Sequence, residues 1–128
     1  MKHQSEKKLT PAQLQIMNLF WEHGELGVAQ VWKMLSEQRP VARNTVQTML
    51  SRLAERGWLR AQAKGSAYVY RPARRRGPTL SGMVGALLDG AFAGSASRLV
   101  MTLLEHRSIS PEEAQRLREL IDQAEDKR

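Results

Sequence analysis

Residues 42–72, "ARNTVQTMLSRLAERGWLRAQAKGSAYVYRP", decide the fold, because a helical pattern passes directly into a strand pattern there. In the first part, apolar residues recur at helical spacing and form one stripe, which comprises Val46, Met49, Leu50 and Leu53. Together with Gly57, a residue type common at helix ends, this stripe predicts an amphipathic helix over 42–56. The runs "WLRAQA" and "AYVYRP" then alternate on either side of "KGS", which predicts a β hairpin with a three-residue turn that ends at Pro72.

Two more helices are predicted before this stretch. In "LTPAQLQIMNLFWEHG", Thr10 fits the N-cap, Pro11 the first helical position and Gln13 the capping box. Gly24 then marks the end of this helix. "GVAQVWKMLSEQRP" again repeats apolar residues at helical spacing and stops at Pro40. Three helices followed by a hairpin are the order of a winged helix-turn-helix domain, in which the hairpin is the wing.

The pattern divides the chain into two domains. We assign residues 1–73 to the winged-helix domain with 1–8 as a flexible tail, 74–79 to a basic linker, and 80–128 to a helical domain. The last domain contains three short amphipathic patterns that cannot close a core alone, so we predict that a second copy covers them. The predicted fold class is mainly α with a small β hairpin: a winged helix-turn-helix domain plus a C-terminal three-helix dimerisation domain. Residues expected at the dimer contact are Leu87, Leu88, Leu99, Val100, Leu103, Leu104, Leu117, Leu120 and Ile121.

Charge is distributed unevenly along the chain. The net charge is +7 and the isoelectric point is about 10.4, which favours a polyanionic partner. Residues 1–73 hold 11 Lys/Arg against 5 Asp/Glu, whereas residues 77–128 hold 6 against 8. The basic half is therefore the half with the predicted wing, which indicates contact with nucleic acid there.

No stretch of the sequence predicts a membrane span, since no apolar run approaches the roughly 18 residues that a span needs. The start "MKHQSEKK" lacks the apolar stretch of a signal peptide. The chain has no cysteine, so it can form neither a disulfide framework nor a thiolate metal site. These features predict a cytoplasmic protein without membrane insertion.

The predicted third helix has a second face that is polar but carries few charges. At helical spacing this face comprises Arg43, Asn44, Gln47, Thr48, Ser51 and Arg52. Such side chains pair with base edges and phosphates in a major groove, whereas a merely solvated helix more often carries Glu and Lys. A solvated face is the alternative, and Asn44 with Gln47 could instead form a local capping pair. Because this helix lies in the basic half of the chain, we favour the hypothesis that its polar face binds double-stranded DNA.

The predicted DNA-binding residues are Arg43, Asn44, Thr45, Gln47, Thr48, Ser51, Arg52, Lys64, Tyr70 and Arg74. Gln47 and Thr48 lie at the centre of the polar face and are the candidates for base edges. Lys64 at the hairpin tip, Tyr70 in the hairpin and Arg74 in the linker would extend the surface over phosphates. Packing of Tyr70 against the third helix is an equally weighted alternative, and Arg74 could simply belong to a solvated linker.

An enzyme finds little support in the sequence. His3, His23 and His106 are too scattered for a zinc site, and no Gly-rich phosphate loop or nucleophile elbow is present, so we expect neither metal nor cofactor. The second function considered is a winged-helix protein-interaction module without sequence-specific DNA binding. Such a module has no need to concentrate positive charge in the half with the wing.

With these motifs in place, the chain resembles the penicillinase-repressor family, the BlaI/MecI-like winged-helix repressors, over nearly its whole length. "TVQTMLSRL" followed by "RG" is similar to that family's recognition helix. "KGSAYVYRP" is similar to its wing, and "RLVMTLLEH" with "SISPEEAQRLRELI" is similar to its dimerisation segment. The three segments occur in the family's order.

The resemblance implies a homodimeric repressor on a palindromic operator, commonly ahead of β-lactamase or penicillin-binding-protein genes and thus linked to antibiotic resistance. It implies DNA-contact positions at Thr45, Gln47, Thr48 and Arg52. It also implies induction by a membrane-bound zinc-protease receptor, after which the repressor is cut at an Asn-Phe pair; Thr102-Leu103 occupies that position here. The family often has Ser-Pro-Lys where this chain has Ala42-Arg43-Asn44.

Overall fold

The computed structural model describes residues 8–126, so the predicted flexible tail lies, apart from residue 8, outside the described residues. The helices are, in chain order, α1 (Pro11–His23), α2 (Val28–Ser36), α3 (Arg43–Glu55), α4 (Arg76–Phe92), α5 (Ala96–His106) and α6 (Pro111–Asp126). The strands are β1 (Leu26–Gly27), β2 (Leu59–Lys64) and β3 (Ala67–Pro72). The predicted class, mainly helical with a small sheet, is confirmed.

The first helix begins where its capping signals predicted. The Thr10 Oγ1 accepts a hydrogen bond from the Gln13 backbone N–H at 3.1 Å, and the Gln13 Oε1 accepts one from the Thr10 N–H at 3.0 Å. This reciprocal pair satisfies two N–H groups that have no partner inside the helix. Gly24, at a φ of 84°, ends the helix in a backbone region that favours glycine.

The sheet has three antiparallel strands in the order β1, β3, β2, so the predicted hairpin has a third strand beside it. β1 places Leu26 opposite Tyr70 and Gly27 opposite Val69. A strand of two residues is too short to show alternation, which is why the sequence did not predict it. Its pairing ties the α1–α2 connection to the wing.

The wing turn is shorter than predicted. Lys64 pairs with Ala67 in the ladder, which leaves Gly65 and Ser66 as a two-residue turn. The prediction of a three-residue turn is therefore wrong, because Lys64 continues β2. Gly65 has a φ of 62°, a value that explains glycine at this position. β3 ends at Pro72, as predicted.

One apolar core holds the first three helices and the sheet together. Its buried residues are Ile16, Met17, Phe20, Leu26, Val31, Leu35, Val46, Leu50, Leu53, Trp58, Leu59 and Tyr70. Val46, Leu50 and Leu53 belong to α3 and are completely buried. Burial of each such side chain is worth roughly 1.5–3 kcal/mol, so α3 is firmly oriented with its apolar stripe inward. Its polar face must then point outward.

The fourth helix begins at Arg76, earlier than the predicted start at Leu80. The prediction of a linker over 74–79 is therefore wrong for residues 76–79, which form the first turn of α4. Pro78 does not prevent this, because the first turn of a helix has N–H groups without intrahelical acceptors and proline loses nothing there. From the sequence pattern alone, Gly77-Pro78 had indicated a break before the helix.

The chain forms two compact units, divided between Ser81 and Gly82. In the second unit no side chain over residues 82–126 is buried. Among the predicted dimer residues, Leu87, Val100, Leu103, Leu104, Leu120 and Ile121 are exposed, and Leu88, Leu99 and Leu117 are half-buried. The single chain thus leaves an apolar surface uncovered, which agrees with the dimer contact; the contact itself stays a prediction.

Over residues 8–126 no single helix combines the length and the apolar character that crossing a membrane requires. Among the described helices, α4 and α5 have that length and apolar character only when they are taken as a pair, and the pair is bent by 93° at the break between them.

Candidate nucleic-acid interface

The polar face of α3 is accessible to a partner. Arg43, Asn44, Thr45, Gln47, Thr48 and Arg52 are exposed and Ser51 is half-buried. Asn44, Gln47, Thr48, Ser51 and Arg52 share the side opposite the buried stripe, whereas Arg43 and Thr45 lie on its two flanks. The first turn of α3 contains no acidic residue, and Glu55 lies at the far end. An approaching phosphate meets no negative side chain of α3 at its N-terminal end.

The N-terminus of α3 offers free donors. The helix begins at Arg43, and its N-cap Ala42 makes no side-chain capping bond. The Val46 N–H donates to the Ala42 carbonyl at 3.2 Å, so the N–H groups of residues 43–45 have no acceptor inside the helix. These donors and the positive end of the helix dipole favour a phosphate oxygen. Asn44 is the second helical residue, which excludes the alternative that it caps this helix.

Trp32 fixes the segment that leads into α3. Its indole Nε1 donates to the Val41 carbonyl oxygen at 2.8 Å, and the side chain remains 37% exposed. Val31 and Leu35 of the same helix are buried in the core. The bond from Trp32 therefore couples the start of α3 to a helix that the core already holds.

Two cations of the wing share one carboxylate. The Lys64 Nζ lies 2.8 Å from the Glu25 Oε2, and the Arg71 Nη2 lies 3.2 Å from the Glu25 Oε1. Lys64, predicted at the hairpin tip, is instead the last residue of β2 beside the turn, and 57% of its side chain is exposed. Glu25 precedes β1, so its place beside the wing depends on the strand that the sequence did not predict. We name Lys64, Arg71 and Glu25 the wing cluster.

The ionisation of Glu25 follows from this pairing. The hydrogen bond from Lys64, and next that from Arg71, hold the pKa of the Glu25 carboxyl below its usual value. A lowered pKa in the folded state means that the pairing is present at neutral pH. It is lost only as pH falls through that lowered pKa.

The structure contradicts the placement of Tyr70 on the DNA-facing surface. Tyr70 is 5% exposed and belongs to the core, whereas Tyr68 is 63% exposed. Both tyrosines lie on the same face of β3, since side chains alternate along a strand. Only Tyr70 is near enough to the base of the hairpin to be covered, and Leu26 of β1 stands opposite it. Tyr70 therefore packs in the core rather than on the DNA-facing surface; its contact with the third helix stays a prediction.

Arg74 has a packing role that the sequence did not indicate. Its guanidinium carbon lies 4.8 Å from the centroid of the Trp58 ring, and its Nε donates to the Gly57 carbonyl at 3.2 Å. The Trp21 Nε1 donates to the Arg74 carbonyl at 2.8 Å. Arg74 thus joins the end of α1 to the start of β2. Its predicted phosphate contact stays a prediction.

Removal of the Arg74 side chain should therefore weaken folding. For Arg74→Ala we expect the free energy of unfolding to fall by about 1–2 kcal/mol, because a cation–π contact and a hydrogen bond are lost. The measurement is urea denaturation followed by tryptophan fluorescence. Arg75→Ala is the matched control, since Arg75 is exposed, and should change the value by less than about 0.5 kcal/mol. Equal values for the two variants would show that the Trp58 contact contributes nothing.

In the part of the chain that the structure describes, no three His, Cys, Asp or Glu side chains converge as a metal ion would require. The exposed face of α3 instead presents amide, hydroxyl and guanidinium groups, and the wing cluster adds two cations and one carboxylate.

The sequence matches known proteins over most of its length. The family model for penicillinase repressors matches residues 9–123. The penicillinase repressor of Bacillus licheniformis is 27% identical over 116 residues, which cover 91% of this chain and 91% of that protein.

Solved structures are similar in fold. The solution structure of the DNA-binding domain of the repressor BlaI is 32% identical, with a TM-score of 0.50, and the match covers 54% of this chain and 84% of that chain. The oxidised form of MarR from E. coli matches with a TM-score of 0.53 over 96% of this chain and 80% of that chain. At 18% identity the second likeness concerns the fold alone.

Proposed function

We propose that this chain, which belongs to the penicillinase repressor family, represses transcription by binding a specific DNA sequence. The observation that carries the proposal is the exposed polar face of α3, which the core holds outward in the basic half of the protein. Gln47 and Thr48 at its centre supply hydrogen-bond donors and acceptors for base edges.

DNA binding would use two kinds of contact. The N-terminal part of α3 enters the major groove, where Gln47 and Thr48 read bases and the free N–H groups of residues 43–45 meet a phosphate. The wing lies along the adjacent backbone, where Lys64 contacts phosphate without reading sequence. Base contacts would give specificity and phosphate contacts would give most of the affinity.

We propose further that the functional unit is a homodimer on a palindromic operator. The uncovered apolar surface over residues 82–126 supports this, because a monomer would leave it in water. Two-fold symmetry would set the two α3 helices into successive major grooves about one helical turn apart, and the bound dimer would occlude RNA polymerase.

The name of the Bacillus relative connects that protein with penicillinase. We propose that this chain likewise controls β-lactam resistance or cell-wall genes, from a cytoplasmic location, and that a membrane sensor-protease relieves repression indirectly. Thr102 and Leu103, the candidate cleavage position, lie inside α5. A protease needs an extended backbone, so cleavage there would require local unfolding of α5 first.

The alternative function, a protein-interaction module, is less well supported. A module that docks α3 on another protein needs neither the two arginines on this face nor free N–H donors at its N-terminus. The named relatives are repressors rather than enzymes or adaptors.

A salt titration tests the proposed function. Affinity for a duplex should fall by more than tenfold between about 0.1 and 0.3 M salt, because each phosphate that the protein neutralises adds about −0.9 to the slope of log affinity against log salt. The measurement is fluorescence anisotropy with a labelled 30-base-pair duplex, at constant pH. Absence of binding, or binding that ignores salt, would refute DNA binding as the function.

A further inference from the structure

The wing cluster contains a negative charge at a place where DNA binding calls for positive charge. Glu25 is only 29% exposed and accepts a hydrogen bond from each of its two neighbours, while 57% of Lys64 and 53% of Arg71 remain open to solvent. A phosphate can therefore reach both cations from outside. To pair with them fully, it must compete with a carboxylate that is already in place.

We propose that Glu25 acts as an internal competitor for DNA phosphate, which occupies the two wing cations and lowers the sequence-independent part of DNA affinity. This inference rests on the proposed function. A carboxylate and a phosphate oxygen accept hydrogen bonds from Lys and Arg in the same way. With Glu25 ionised the wing cluster carries a net charge of +1, whereas without it the charge would be +2.

The geometry distinguishes this role from simple structural support. β1, which follows Glu25, is already held to β3 by the backbone pairing of Leu26 and Gly27. The hairpin is closed by its own ladder from Leu59 to Lys64. The carboxylate is therefore not needed to keep the wing folded, and its main effect falls on the charge that the wing presents.

The consequence concerns how the protein searches DNA. Non-specific binding is electrostatic, so a protein with full positive charge on the wing would stay longer on sequences that it does not regulate. Glu25 would shorten that residence without touching the α3 side chains that read bases. Glu25 would thereby set the contribution of the wing to sequence-independent DNA affinity.

The experiment uses a mixed-sequence 30-base-pair duplex, so that no operator need be known. With the full-length protein, Glu25→Gln should raise affinity about three- to tenfold at roughly 0.1 M salt and make the salt slope steeper by about 1–2 per dimer. Glu25→Ala should act in the same direction. In the Lys64→Gln/Arg71→Gln background, Glu25→Gln should change affinity by less than twofold, because neither of the two cations that bind Glu25 is left to release.

Glu22→Gln is the matched control. This substitution removes the same charge close by in sequence, but the Glu22 side chain is 73% exposed and binds neither wing cation; its ion-pair partner is His23, at 3.8 Å. Its affinity change should stay below twofold. Equal gains in both variants, or no gain in either Glu25 variant while circular dichroism shows the folded state, would overturn the inference. Failure of the wild-type protein to bind duplex in a salt-dependent way would instead overturn the proposed function.

Discussion

Replacing Leu103 by Asp is expected to leave the protein monomeric and to lower its affinity for operator DNA by about 10²-fold or more. Leu103 is 49% exposed on α5 of the single chain, and no side chain over residues 82–126 of its unit is buried. In the proposed dimer the partner covers this position. A carboxylate would then lose its water without gaining a cation, a cost large enough to separate the subunits.

The large effect on affinity follows from linkage of the two DNA-binding halves. When one half of a dimer is bound, the other meets its half-site at a high effective concentration, which multiplies the affinity of either half. A monomer keeps one set of contacts and loses that gain. Leu120→Asp should act in the same way, since Leu120 is 44% exposed on α6.

Sedimentation velocity measures the first part of this prediction, and fluorescence anisotropy with a duplex that contains the protein's preferred site measures the second. Gln115→Asp is the control: it introduces the same side chain at an exposed polar position of α6 and should leave both results unchanged. Far-ultraviolet circular dichroism establishes that helical content is kept. A Leu103→Asp variant that sediments like the wild type would refute the predicted dimer contact.

Features with a local cause were predictable from the sequence. The start of α1 depends on Thr10, Pro11 and Gln13, which lie within one helical turn of one another, and the structure has the bonds that this spacing predicts. The two faces of α3 also depend on spacing within a single helix, so both the buried stripe and the exposed polar side could be derived.

Features that depend on contacts distant in sequence were not predictable. Glu25 meets Lys64 only because β1 pairs with β3, and two residues carry no strand pattern. Arg74 looked like part of a charged linker, yet it packs on Trp58 and receives the indole N–H of Trp21. The residues adjacent in sequence do not indicate these long-range contacts, because the contacts form only when the core packs.

Gln47→Ala is expected to weaken binding to the preferred DNA site by about 1–3 kcal/mol, roughly 5- to 150-fold, and to relax the sequence preference at one base pair. Gln47 is exposed on the outward face of α3, and a glutamine side chain can donate to and accept from one base edge. Alanine leaves the helix intact, because it is the best helix former. The loss should therefore report the base contact.

The preferred site is obtained by selection from a random duplex library with the wild-type protein, and the same selection with Gln47→Ala shows which position is relaxed. Lys64→Ala is the comparison, since a phosphate contact carries no sequence information and its loss should weaken all duplexes alike. The two variants thus separate sequence specificity from sequence-independent affinity. Gln47→Ala should change which sequence is preferred, whereas Lys64→Ala should lower affinity for every sequence. If Gln47→Ala lowered affinity uniformly and left the selected sequence unchanged, the assignment of base reading to the centre of α3 would be wrong.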